Sequence, residues 1–155
     1  MSQIPDSRPS PHALVFTMAD KIKLRVVTPS RLVLEEEVDE VSAPGELGEF
    51  GVLPNHISFL STLVAGAMSY KQGAARHSLV IGGGYAEVLD NVMTVLAPAA
   101  EFPAEIDTAR AQRAKERAEK RMGEVNFEDP EYGQLEEAQR RALARLQVAS
   151  KETRR

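Results

Sequence analysis

Four arginines in the C-terminal third of the chain are the residues best placed to do chemistry. Arg110 and Arg117 are seven residues apart, which puts them on one face of a helix two turns apart. Arg141 and Arg145 are four apart and stack on one face of a second helix. If the two helices fold back on each other, four guanidiniums can be brought together. They would repel unless an anion of several charges lay between them. Polyphosphate meets that need, because guanidinium gives forked, charge-assisted hydrogen bonds to phosphate oxygens. The competing reading is solvated surface charge, with Glu137, four residues before Arg141, as its partner. Spacing alone leaves both open.

Other constellations carry less. His56 sits in a Pro-Asn-His loop, while His12 and His77 lie elsewhere without ligand spacing, so no metal site is expected. Gly82-Gly83-Gly84 is followed by neither Gly-Lys-Ser/Thr nor a helix start, which removes a phosphate loop and leaves a bulge or a close backbone approach. No Ser/His/Asp set or carboxylate pair suggests catalysis.

The elements that must position these residues change character along the chain. Residues 1–17 hold Pro5, Pro9 and Pro11 and are expected to be a disordered extension or an over-called start, with Met18 as a second natural start. From Lys21 the period is two: Ile22, Leu24 and Val26 alternate with Lys21, Lys23 and Arg25. Strands are expected at 32–34, 38–41, 78–81, 85–89 and 92–97, with a turn at Ala43-Pro44-Gly45 and a hairpin turn at Asp90-Asn91. Short strands at even spacing suggest a sandwich or flattened barrel over residues 18–103. Pro98 and Pro103 then bracket a linker, and Asp107 is placed to cap a helix. Ala111, Ala114, Ala118 and Met122 form one helical stripe, and Leu135, Ala138, Ala142, Leu146 and Ala149 a second. The break between them, from Gly123 to Pro130, predicts an antiparallel two-helix hairpin over residues 104–155. The expected fold is therefore mixed β and α: an N-terminal β-sandwich followed by a C-terminal helical hairpin.

Composition sets limits. The chain has 155 residues, 43% of them hydrophobic, but only 5% aromatic and no Trp, and much of the apolar content is Ala. All-Ala faces bury little area and hold weakly. A formal charge of -4 argues against nucleic acid, although from Tyr132 onward six Lys/Arg face three Glu. Without Cys there are no disulfides or thiolate metal sites, which fits a reducing compartment. Phe50 to Tyr70 is twenty-one residues without formal charge, yet Pro54, Asn55, His56, three Ser and two Gly make it a poor lipid-facing helix.

Taken in register, the motifs resemble the ε subunit of bacterial F-type ATP synthases from about Lys21 to the C-terminus. The sandwich turns are Gly48-Glu49-Phe50-Gly51-Val52-Leu53-Pro54-Asn55-His56 and Gly82-Gly83-Gly84-Tyr85-Ala86-Glu87-Val88, with Val95-Leu96-Ala97 and Ala100-Glu101 as the exit. Ile106-Asp107-Thr108-Ala109-Arg110-Ala111 is similar to the family's ATP-binding motif. The chief departure is the N-terminal extension. The resemblance implies an ATP-binding set of Glu101, Ile106, Asp107, Arg110, Ala111, Arg117, Arg141 and Arg145, with ATP as a regulatory ligand and no required cofactor. It implies a rotor contact at His56 and an inhibitory basic helix presenting Arg140, Arg141, Arg145, Lys151, Arg154 and Arg155. The implied partners are the γ shaft, the membrane ring of c subunits and the catalytic α and β subunits. The implied place is the cytoplasmic face of the bacterial inner membrane, held there peripherally by other proteins. The subunit so implied is non-catalytic. Rival readings are a stand-alone ATP-binding sensor or adaptor, a free-standing ATP-using enzyme, which lacks a Walker motif and a carboxylate cluster for Mg²⁺, and a coiled-coil adaptor, for which the Leu positions are too few.

Overall fold

Alternating apolar residues in the first strand enter the core as their period requires. In the computed structural model, which describes residues 20–153, Ile22, Leu24 and Val26 of β1 (Ile22–Val27) are fully buried. The remaining strands are β2 (Leu32–Val38), β3 (Glu40–Gly45), β4 (Gly48–Val52), β5 (Phe59–Gln72), β6 (Ala75–Leu89), β7 (Val92–Leu96) and β8 (Ala100–Glu101). They run side by side in the order β2-β1-β7-β6-β5-β3-β4, with β8 added to β6. Pairing is antiparallel except between β1 and β7. One core cluster draws side chains from β1 to β8, among them Leu34, Val41, Val52, Met68, Leu79, Ile81 and Met93. A 3₁₀ turn (Pro103–Glu105) leads to α1 (Thr108–Met122) and α2 (Pro130–Thr153).

Two local expectations meet the structure closely. Asp90 and Asn91 both take positive φ, 49° and 60°, as a two-residue hairpin requires. The Asn91 side chain accepts from Asn55 N–H at 2.8 Å and donates to Lys21 C=O at 2.7 Å, tying the turn to the chain entry. Asp107 caps α1 by accepting from the Arg110 N–H at 2.9 Å.

Other expectations need correction. The turn placed at Ala43-Pro44-Gly45 lies inside β3, and the chain reverses at Glu46-Leu47, where Gly48 supplies the positive φ of 123°. The segments 78–81 and 85–89 form one bent strand, β6, rather than two. Its C-terminal half pairs with β7 and its Val80-Ile81 with β8, so the glycines between them mark a change of partner and not an end. Strand β5 has no expected counterpart in the sequence. Its apolar residues show no clean alternation because one face fills the sandwich core while Ala67 meets α2. The uncharged run from Phe50 to Tyr70 is thus β4, a loop and most of β5. Among the described residues no helix is long and apolar enough to cross a membrane.

The hairpin is held lightly. Ala111 and Ala118 of α1 and Ala142 of α2 are buried where the helices meet. At the loop, Arg121 forks onto Glu131 at 2.8 and 2.9 Å, and Gln139 bonds Glu119 at 3.1 Å. A second face of α2, Ala144 and Val148, packs on Val80, Ala67 and Ile106. That face falls outside the stripe expected from the sequence, because α2 has two neighbours and needs two apolar sides. Side chains this small remove only about 1–2 kcal/mol worth of apolar surface each.

Candidate functional site

Gly82 begins the construction of the site. Its N–H donates to Ala99 C=O at 2.8 Å, and a Cβ at this position would stand 3.5 Å from Ala99, so the exit strand lies close against β6. That contact fixes β8 and places Glu101 at the sandwich edge, paired in register with Val80. Phe102 to Glu105 then form a self-capped turn. The Glu105 carboxylate accepts from the Phe102 N–H at 2.8 Å and from Arg31 at 2.6 Å. The Phe102 N–H first, and the Arg31 guanidinium second, hold the Glu105 carboxyl below its ordinary value. This clamp, which joins the β1–β2 turn to the linker, had no signal in local spacing because its partners are 74 residues apart.

Ile106 turns inward onto Val80, Ala144 and Val148, and Ala111 is buried one turn into α1. Asp107 is spent on capping. From α2, Arg145 reaches Glu101: Nε lies 2.9 and 3.2 Å from its two oxygens and Nη2 2.5 Å from one. Both side chains are less than a third exposed. Two members of the expected set are therefore in direct contact across 44 residues. Arg141 instead pairs with Glu137 at 3.6 Å, the surface pairing that its spacing allowed. With Arg140 and Glu137 it lines a cleft of about 240 Å³ over the backbone of Gly82–Gly84. Arg110 and Arg117 are exposed on α1, and neither guanidinium makes a hydrogen bond or ion pair among the described residues. In this folded-back hairpin the four arginines thus have three different environments. A larger cavity of about 800 Å³ beneath the end of α2, lined by Tyr70, His77, Phe102 and Lys151, contains none of the eight.

The His56 Nδ1–H donates to Ile57 C=O, 2.8 Å away, and the ring sits edge-on to Phe59. It shares the β4–β5 loop with exposed Leu53 and Ile57, an apolar end patch that the sequence reading did not single out. A second apolar row crosses the outer sheet face: Tyr85 pairs with Leu96, Leu96 with Val27, and Val27 with Leu32. Tyr85, Leu96 and Leu32 are each more than half exposed. Apolar residues on both alternating faces of β6 were the available signal for it. Lys151 and Arg140 are exposed, while Arg154 and Arg155 lie outside the described residues, as do residues 1–17. Among the described residues no three His, Asp or Glu are grouped to hold a metal.

Comparison with known proteins places this geometry in a family. Residues 21–103 match the model of the ATP synthase Delta/Epsilon chain beta-sandwich domain, and residues 104–150 that of its long alpha-helix domain. The ATP synthase epsilon chain of Syntrophobacter fumaroxidans is 53% identical over 134 residues, covering 86% of this chain and 99% of that one. The epsilon chain of Nitratidesulfovibrio vulgaris is 48% identical over 131 residues, 84% of this chain and 97% of its own. Among solved structures, a chain of the Euglena gracilis mitochondrial ATP synthase OSCP/F1/c-ring assembly superposes with a TM-score of 0.72 at 24% identity, over 96% of this chain and 91% of that one. At that identity the likeness speaks to the fold.

Proposed function

Since the chain belongs to the ATP synthase delta/epsilon family, as a non-catalytic epsilon-type subunit of the central stalk, we propose that its sandwich couples the γ shaft to the membrane rotor ring and that its hairpin restrains ATP hydrolysis. The observation that carries this reading is the division of labour in the fold. The sandwich has a large, well-filled core, whereas α2 rests on it through Ala144, Val148 and one forked ion pair. A part so lightly docked can leave without unfolding the rest. The end patch of Leu53, His56 and Ile57 suits the ring contact, and the row of Tyr85, Leu96 and Leu32 suits the γ contact. The subunit would then sit peripherally on the cytoplasmic face of the inner membrane, carried by its partners. Mixed with α, β and γ chains it should elute with them. Elution of the intact chain alone, at micromolar concentrations of each, would remove the stalk role.

ATP is proposed as the regulatory ligand that favours the folded-back hairpin, through Glu101, Ile106, Asp107, Arg110, Ala111, Arg117, Arg141 and Arg145. The free guanidiniums of Arg110 and Arg117 support this, because they are available to phosphate without breaking a protein contact. Cationic side chains would neutralise the phosphates, so Mg²⁺ should not be strictly needed. Arg110→Ala should weaken ATP binding by ~1.5–3 kcal/mol, the usual worth of a charged hydrogen bond. It should leave unfolding unchanged, since the side chain supports nothing in the fold. Calorimetry giving equal affinity for the variant and the parent would take Arg110 out of the site.

A further inference from the structure

We propose that Glu101 and Arg145 form a latch that holds the hairpin folded back without any ligand, and that an anion taking the Nε/Nη2 edge of Arg145 must displace Glu101 to do so. The inference rests on the reading that the hairpin opens and closes, and it says what holds the closed state.

The geometry is specific. Arg145 presents its Nε/Nη2 edge to the carboxylate, the same edge and spacing that a phosphate would use. Glu101 therefore stands where an anionic ligand of Arg145 would stand. Its position is rigid, since β8 is hydrogen-bonded to β6 and Gly82 holds Ala99. Arg145 lies between Ala144 and Val148, the two α2 residues buried against the sandwich, so the ion pair sits at the rim of the patch that docks the helix. The other arginines of α2 do not duplicate it: Arg141 pairs within its own helix, and Arg140 is exposed in the cleft. Partial shielding on both sides makes this pair stronger than an exposed one.

Two consequences follow. In the free chain the hairpin is folded back when nucleotide is absent. In the assembled enzyme the partner subunits compete for α2, and ATP favours the folded form through Arg110 and Arg117 while gaining at Arg145 only the difference between a phosphate and a carboxylate. Release of α2 from the sandwich then requires that this ion pair and a few small apolar contacts break together, and its separation from α1 also breaks the Gln139–Glu119 and Arg121–Glu131 bonds.

The test uses the full chain, free of nucleotide. The protein has no Cys, so cysteines introduced at Glu87 on the sandwich and Gln147 on α2 can carry a spectroscopic distance pair without further changes. The parent should give a single, narrow distance distribution. Glu101→Gln should raise the open fraction by roughly tenfold, as expected for loss of a charged hydrogen-bonded pair. Glu101→Arg and Arg145→Glu should each open the hairpin, and the double reversal should close it again. Circular dichroism on each variant separates opening from loss of the sandwich, and Glu101→Gln is the mild variant if a reversal fails to fold. An unchanged distance in Glu101→Gln, or a double reversal as open as either single one, would overturn the latch. Neither result bears on assembly with the stalk, which the elution experiment reads separately.

Discussion

Replacing Gly84 by alanine is expected to cost the sandwich about 3–5 kcal/mol, a large share of the roughly 5–15 kcal/mol that holds an ordinary domain. Gly84 has a φ of 110°, a region that L side chains rarely adopt. A Cβ there would stand 2.0 Å from the Leu96 carbonyl oxygen, which is backbone and cannot rotate away. Strain of roughly 1–3 kcal/mol from the dihedral adds to a similar cost of overpacking. Gly73 is the control. It also has positive φ, 59°, at the β5–β6 turn, but nothing lies within 4 Å of its would-be Cβ. Gly73→Ala should cost only about 1–2 kcal/mol, the left-handed penalty alone. Urea unfolding of the two variants measures both values, and a Gly84→Ala cost no larger than that of Gly73→Ala would contradict the packing described here. Because the same bend brings the exit strand against β6, the variant should also disturb Glu101.

The contrast between legible and illegible features follows from sequence distance. Period-two alternation in β1, the Asp90-Asn91 turn and the Asp107 cap are set within a few residues, and all could be read directly. So could the Arg141–Glu137 pair, four residues apart. Strand β5 could not, because its two faces meet different neighbours and its pattern is the sum of two requirements. The continuity of β6 through three glycines was hidden for a related reason: glycine signals a break locally, but here it lets one strand serve two partners. Val148 and Ala144 lay off the expected stripe because the helix packs on the sandwich as well as on α1. Arg145 was picked out for its spacing to Arg141, yet the structure separates the two and gives Arg145 to Glu101. Spacing reports what shares a face, and only the tertiary fold reports what that face meets.

The largest functional effect is expected from removing α2. Its outward surface presents Arg140 and Lys151, and Arg145 becomes free once the hairpin opens. An extended basic helix is proposed to lie beside γ and to meet acidic segments of the catalytic subunits, which opposes rotation in the hydrolysis direction. ATP, by favouring the folded-back form, would withdraw it. Ending the chain after Gly123 removes the basic helix and leaves every strand of the sandwich, with Glu101, Val80, Ala67, Ile106 and the small α1 face newly exposed. Assembly should therefore be unaffected. Hydrolysis should rise by roughly fivefold or more at low ATP, the lower end of ordinary coupling between sites, and the gain should shrink as ATP increases.

Steady-state ATP hydrolysis by the assembled enzyme, carrying either the full chain or the chain ended after Gly123 and followed from micromolar to millimolar ATP, tests the central claim most directly. The account predicts a faster truncated enzyme at low ATP, with the two curves converging at high ATP. Two curves that coincide across the range, with both chains fully assembled, would contradict it.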